Sequence, residues 1–136
     1  MRKAVIWVDG AARGNPGPAA IAGILKDEEG KVHSRFSKCI GIATNNQAEY
    51  QAVIAGMERA ISLGANAVGI NSDSELIVRQ LNGRYRVKHA MLKPLYERVK
   101  QLRSSLISFT VKHIPREQNW EADSLVNKAL DNALTN

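Results

Sequence analysis

The run Lys3-Ala4-Val5-Ile6-Trp7-Val8-Asp9-Gly10 sets a short apolar, β-branched segment against a carboxylate and a glycine. Lys3–Val8 reads as a central strand, because a strand covered on both faces is a near-continuous apolar run. Asp9 ends that run where a carboxylate is costly unless it has a partner or a ligand. It also breaks the apolar run too early for the core of a secretory leader, so the strand reading stands over a signal peptide. Gly10 to Pro18, GAARGNPGP, is dense in glycine and proline and reads as a turn-forming loop. It has neither G-x-G-x-x-G nor P-loop spacing, which argues against a dinucleotide or nucleoside triphosphate site.

Outward from this segment, strands and helices alternate. Ala19–Lys26 and Lys31–Ile42 read as two more strands about the turn Asp27-Glu28-Glu29-Gly30, the second with patchy alternation. From Asn45 to Leu63 the period becomes helical: Tyr50, Val53, Ile54, Met57, Ala60 and Ile61 form one stripe, and Gly64 is placed to stop it. Ala67–Asn71 is a short strand, Ser74–Asn82 a helix stopped by Gly83, and Leu92–Leu102 a helix with Pro94 in its first turn. Leu106–Ile114 reads as the last strand and Asn119–Leu134 as a C-terminal helix. The order βββαβααβα, without repeat or linker, points to one mixed-sheet α/β domain over residues 1–136.

Composition narrows the function classes. A net charge of +6 favours a polyanionic partner. No stretch is long and apolar enough to cross a bilayer, so no membrane role is expected. Cys39 is the only cysteine, which excludes an internal disulfide and makes a reducing cytoplasm the expected compartment.

Four acids stand out by position. If the strands ending at Asp9 and near Asp73 are parallel neighbours, both carboxylates arrive at one sheet edge, where α/β folds place sites. Glu49 borders the buried stripe of its helix, with Val53 and Gly56 at i+4 and i+7. Asp123 borders the stripe Ala122, Leu125, Val126, Ala129, Leu130, Ala133, whereas Glu58 and Asp131 point outward. Inward carboxylates need positive charge between them, and hard oxygen donors without a Cys/His cluster suit Mg²⁺ or Mn²⁺. Each acid also has an ordinary account: Ser72-Asp73-Ser74-Glu75 resembles a capping box, Glu49 and Asp123 complement helix dipoles, and Asp9-Gly10 suits a turn.

Taken together and in order, the motifs resemble those of the type 1 ribonucleases H. Val8-Asp9-Gly10-Ala11-Ala12-Arg13-Gly14-Asn15-Pro16-Gly17-Pro18 resembles that family's opening signature, and Thr44-Asn45-Asn46-Gln47-Ala48-Glu49-Tyr50 its TNN-x-x-E segment. Ser72-Asp73-Ser74 resembles the strand end carrying the third acid; His113-Ile114-Pro115-Arg116-Glu117-Gln118-Asn119 with Ala122-Asp123 resembles the final loop and helix. The resemblance covers nearly the whole chain and is strongest to the short bacterial and archaeal branch. It implies a ribonuclease H-like fold: a five-stranded mixed sheet, three strands antiparallel and two parallel, flanked by helices.

It further implies that Asp9, Glu49, Asp73 and Asp123 bind two Mg²⁺ or Mn²⁺ ions about 4 Å apart across a scissile phosphate. The RNA strand of an RNA–DNA hybrid would be cut to 5′-phosphate and 3′-hydroxyl ends, with double-stranded RNA open as a side substrate. Gly10, Arg13, Asn15, Thr44, Asn45 and Asn46 would contact the hybrid. His113, or alternatively Arg116, would assist proton transfer and product release. The family's long basic protrusion is here reduced to Gly83–Met91, whose Arg84, Arg86 and Lys88 would hold phosphates. A separate hybrid-binding domain is not expected, and the protein is expected to be a monomer. The rival readings are a non-catalytic hybrid-binding module, a related nuclease for DNA junctions or double-stranded RNA, and a basic domain whose acids are caps. Raised and coupled carboxyl pKa values are expected without metal.

Overall fold

The structure, a computed structural model, describes residues 1–135, so the expected domain limit at Asn136 lies outside the described residues. β1 (Lys3–Ala12), β2 (Gly17–Lys26) and β3 (Val32–Ala43) form an antiparallel meander. β4 (Ala67–Ser72) and β5 (Ser108–His113) extend the sheet in parallel on the other side of β1. The order is β3–β2–β1–β4–β5, with the quoted segment at its centre. The helices are α1 (Asn45–Ser62), α2 (Glu75–Leu81), α3 (Lys93–Arg103) and α4 (Trp120–Thr135), the last preceded by a 3₁₀ turn at Arg116–Asn119. None of the described helices is long and apolar enough to cross a membrane.

Alternation along β1 sends Ala4, Ile6 and Val8 into the main core, where they meet Val53, Met57 and Ala60 of α1 and Ile70 of β4. A smaller second core lies under α4, where Val126 and Leu130 pack on Ala20 and Ala22 of β2. Being covered on both sides explains why β2 is buried over most of its length. α1 begins as its sequence predicts: Thr44 is the N-cap, its hydroxyl accepting from Gln47 N while the Gln47 side chain reaches back to Thr44 N. It stops at Leu63, after which Gly64 takes φ +93°, a conformation that costs a glycine little.

Two expectations are corrected. β1 does not end at Val8, and the loop expected over Gly10–Pro18 shrinks to residues 13–16. The antiparallel ladder with β2 continues through Asp9↔Ala22, Gly10↔Ile21, Ala11↔Ala20 and Ala12↔Ala19. Those cross-strand bonds satisfy a backbone whose own side chains carry little strand propensity. Asp9 is therefore inside a strand and is not a turn residue. The patchy alternation of β3 comes from a bulge: Ala19 opposes Gly41 and Ala20 opposes Cys39, leaving Ile40 as the extra residue.

Candidate active site

The parallel ladder between β1 and β4 ends at Trp7↔Asn71. Two residues further along each strand lie Asp9 and Asp73, so the two carboxylates stand level at one edge of the sheet. Asp9 is 9% exposed and lies on the face covered by α4, whose first turn carries Asp123. Glu49 arrives from α1, on the opposite face. It reaches the same edge because α1 crosses β1 at Gly10, where a Cβ would stand 2.3 Å from Ala48 O and 2.7 Å from Glu49 N. Gly10, expected to contact a hybrid, thus has a packing reason to be glycine.

The ordinary accounts of the acids fare unevenly. Ser74, not Asp73, caps α2, its hydroxyl accepting from Ile77 N. Asp73 Oδ2 instead accepts from Asn119 Nδ2 at 3.4 Å. Glu49 lies beyond the first turn of α1, whereas Asp123 does sit in the first turn of α4 beside Glu121. Asp131 and Glu58 point outward as expected, paired with Arg13 at 2.6 Å and Arg98 at 3.3 Å.

The four acids feel one another. Burial pushes the Asp9 carboxyl up to about 8, and the charges of Asp73, Asp123 and Glu49 push the same way against a hydrogen bond from Gly10 N–H. Burial raises Glu49 to about 7; a hydrogen bond from Ser74 lowers it and the charge of Asp73 raises it. Among the described residues, no three His, Cys, Asp or Glu side chains are gathered closely enough to hold an ion as they stand. The donor set still fits a hard divalent cation: all four are carboxylates, and Glu49 Oε2 is buried with no hydrogen-bond partner.

These shifts fix a pH dependence. Asp9 and Glu49 hold protons in the folded protein at pH values where the unfolded chain has lost them, so the stability of the metal-free protein falls as pH rises. Thermal melts in EDTA should show a loss on the order of a few kcal/mol between about pH 5 and about pH 8. Mg²⁺ or Mn²⁺, binding the ionised native site, should restore stability at the upper end. A melting temperature that climbs with pH in EDTA would contradict this electrostatic picture.

The expected substrate-contacting residues separate into two groups. Thr44, Asn45 and Asn15 are part of a local framework: Thr44 caps α1, Asn45 Oδ1 accepts from Ala12 N at 2.7 Å, and Asn15 Oδ1 accepts from Asn45 N at 3.1 Å. This ties the loop at residues 13–16 to the start of α1, with Asn46 beside it. Arg84, Arg86 and Lys88 are exposed on the segment between α2 and α3. His113 is exposed at the end of β5, whereas Arg116 Nη2 stands 3.8 Å from Asp123 Oδ1.

The sequence reading missed Asn119 as a site residue. It is 1% exposed, donates to Val8 O at 2.8 Å as well as to Asp73, and its Oδ1 has no partner. It thereby ties the 3₁₀ turn to both strands that carry acids. The only signal was its place at the end of the quoted His113–Asn119 run. Ser74 was likewise read only as part of a cap, although its hydroxyl also serves Glu49.

A family model described as reverse transcriptase-like matches residues 7–129. Ribonuclease HI of Halobacterium salinarum is 39% identical over 93% of this chain and 64% of its own length. A bifunctional protein of Mycobacterium tuberculosis is 41% identical over 96% of this chain, which spans only 36% of that relative. The N-terminal ribonuclease H domain of that mycobacterial protein superposes with a TM-score of 0.94 at 40% identity, covering 99% of this chain and 98% of the other. A ribonuclease H1 isolated from compost, solved in complex with an RNA/DNA hybrid, superposes with a TM-score of 0.91 at 42% identity, covering 96% and 99%.

Proposed function

The chain belongs to the type 1 ribonuclease H family, and on that premise we propose that it is a metal-dependent endonuclease cutting the RNA strand of RNA–DNA hybrids. The observation that carries this reading is the meeting of four carboxylates from β1, α1, the end of β4 and α4 at one sheet edge of a basic protein. Asp9, Glu49, Asp73 and Asp123 would hold Mg²⁺ or Mn²⁺. Bound there, such ions supply activation of the attacking water and neutralisation of the leaving 3′ oxygen.

The chain's own residues account for the rest. Asn119 and Ser74 orient Asp73 and Glu49 through hydrogen bonds, so that the carboxylates are positioned before substrate arrives. Gly10, Asn15, Thr44, Asn45 and Asn46 border the edge where the acids meet and suit a backbone-reading role, with Arg13 available once it leaves Asp131. Arg84, Arg86 and Lys88 offer positive charge to the second strand, which makes affinity salt-dependent. Discrimination then rests on groove shape and 2′-hydroxyls, leaving double-stranded RNA as a secondary substrate.

The test is cleavage of a hybrid labelled on each strand in turn, with Mg²⁺, Mn²⁺ or EDTA. Cutting of the RNA strand alone, lost in EDTA, is expected; salt-sensitive binding with no cutting would make the chain a binding module. The same assay assigns the residue that assists the reaction and product release. Arg116, permanently charged, is the one of the two within ion-pair reach of a site carboxylate and can act through its charge, so Arg116→Ala should lower kcat more than His113→Ala, by about tenfold or more. The reverse ranking would return that role to His113.

A further inference from the structure

The side of the sheet that carries Asp9 is only partly covered. Alternation puts Lys3, Val5, Trp7 and Asp9 of β1 on this side, and the registers carry it across: Trp7 lies level with Ile24 of β2 and Asn71 of β4, and Asn71 with Lys112 of β5. α4 covers Ala20 and Ala22. Toward β5 the face is open, with Ser108, Thr110 and Lys112 exposed. Here stand the only two tryptophans of the chain. Trp120 is 68% exposed, and Trp7 and Trp120 line a cavity of about 120 Å³ with Ile24, Lys26 and Glu121.

The charge on this face is not that of a protein–protein rim. Glu121 is matched by Arg35 at 2.7 Å. Half-buried Lys26 lies 4.7 Å from the centre of the half-buried Trp7 ring, and Lys112 adds an exposed cation on the same side. Aromatic rings beside cations on an open sheet are the chemistry that stacks unpaired bases and attracts their phosphates. A duplex engages such rings only by unstacking a base step, because its bases are already stacked inside. The patch is also continuous with the carboxylates: Trp7 precedes Asp9 by two residues on one face of β1, and Trp120 precedes Asp123 by one helical turn.

We propose that this face docks a single-stranded nucleic acid segment running out from the duplex at the carboxylates; the duplex part of the statement rests on the hybrid reading above. Because both tryptophans lie at the patch, fluorescence excited at the red edge, where tyrosine does not absorb, reports on it and on the adjoining acid site, and the Trp120 and Lys112 variants separate the two. In EDTA, an oligouridylate and an oligothymidylate of about eight nucleotides should each quench that fluorescence in a saturable, salt-sensitive way. Lys112→Glu should weaken both titrations severalfold.

A hybrid with a single-stranded tail should bind about tenfold more tightly than a blunt one, and Trp120→Ala should bring that ratio to one. No quenching by either oligonucleotide, or equal affinity for tailed and blunt hybrids, overturns the proposal. Blunt hybrids that are cut without any tail preference would sink this site alone, whereas hybrids that are not cut at all would sink the family-based reading.

Discussion

Replacing Asp9 by asparagine is expected to lower cleavage of a hybrid's RNA strand by at least about a thousandfold and, in the same protein, to raise the melting temperature measured in EDTA. Both effects come from one cause. Asp9 is nearly buried and faces the charges of Asp73, Asp123 and Glu49, so its ionised form is unfavourable without a cation. An amide of the same shape is neutral without taking up a proton, and the gain near neutral pH is on the order of a few kcal/mol. The same substitution removes a negative donor from the centre of the set, so divalent cations should no longer raise the melting temperature as they do in the parent. Paired melts with and without Mg²⁺, beside a cleavage assay, check all three. Lower stability of the variant in EDTA would mean that Asp9 is held by hydrogen bonds strong enough to outweigh its repulsion.

Gly10→Ala should be the small substitution that damages the site most directly, since Gly10 lies between the elements that carry two of the acids. A Cβ at this position meets backbone atoms of α1, Ala48 O at 2.3 Å and Ala48 C at 2.4 Å, and a helix backbone cannot rotate away as a flexible side chain can. Either α1 lifts from the sheet or β1 bends, at a cost of about 3 kcal/mol or more. Since α1 carries Glu49 and β1 carries Asp9, relief of the clash separates two carboxylates of the site. A displacement of about 1 Å is enough for a hundredfold loss of activity in the fraction that stays folded. Denaturant melts and the hybrid assay on the same preparation separate the two losses. A variant with parental stability would mean that α1 can shift along the sheet without cost.

The candidate site was legible to the extent that its parts obey local rules. Glu49 and Asp123 were identified because a helix of known period places them at the border of an apolar stripe, and Asp9 because a carboxylate after Ala-Val-Ile-Trp-Val needs a reason. Asp73 was ambiguous between cap and ligand for the same local reason: Ser72-Asp73-Ser74-Glu75 offers several oxygens near one helix start. Only the structure gave the cap to Ser74 and a hydrogen bond from Asn119 to Asp73. Asn119 itself carried no periodic or charge signal. Its contact with Val8 spans 111 residues, and no local pattern encodes a bond of that range.

The sequence by itself determined the element order and the helix limits, and it singled out four acids as candidates. Hydrophobic period, caps such as Thr44 and stops such as Gly64 act within a few residues. The tertiary structure decided how far β1 runs, why Gly10 is glycine and which side of the sheet carries the exposed Trp120 beside the half-buried Trp7. β1 continues through Asp9-Gly10-Ala11-Ala12 because Ala19–Ala22 of β2 complete its hydrogen bonds, against the weak strand propensity of those residues. Gly10 answers to a helix backbone nearly forty positions away, and the open face exists because α4 is too narrow to cover five strands. Long-range pairing and layer packing settle such features, and they leave no trace in any short window of residues.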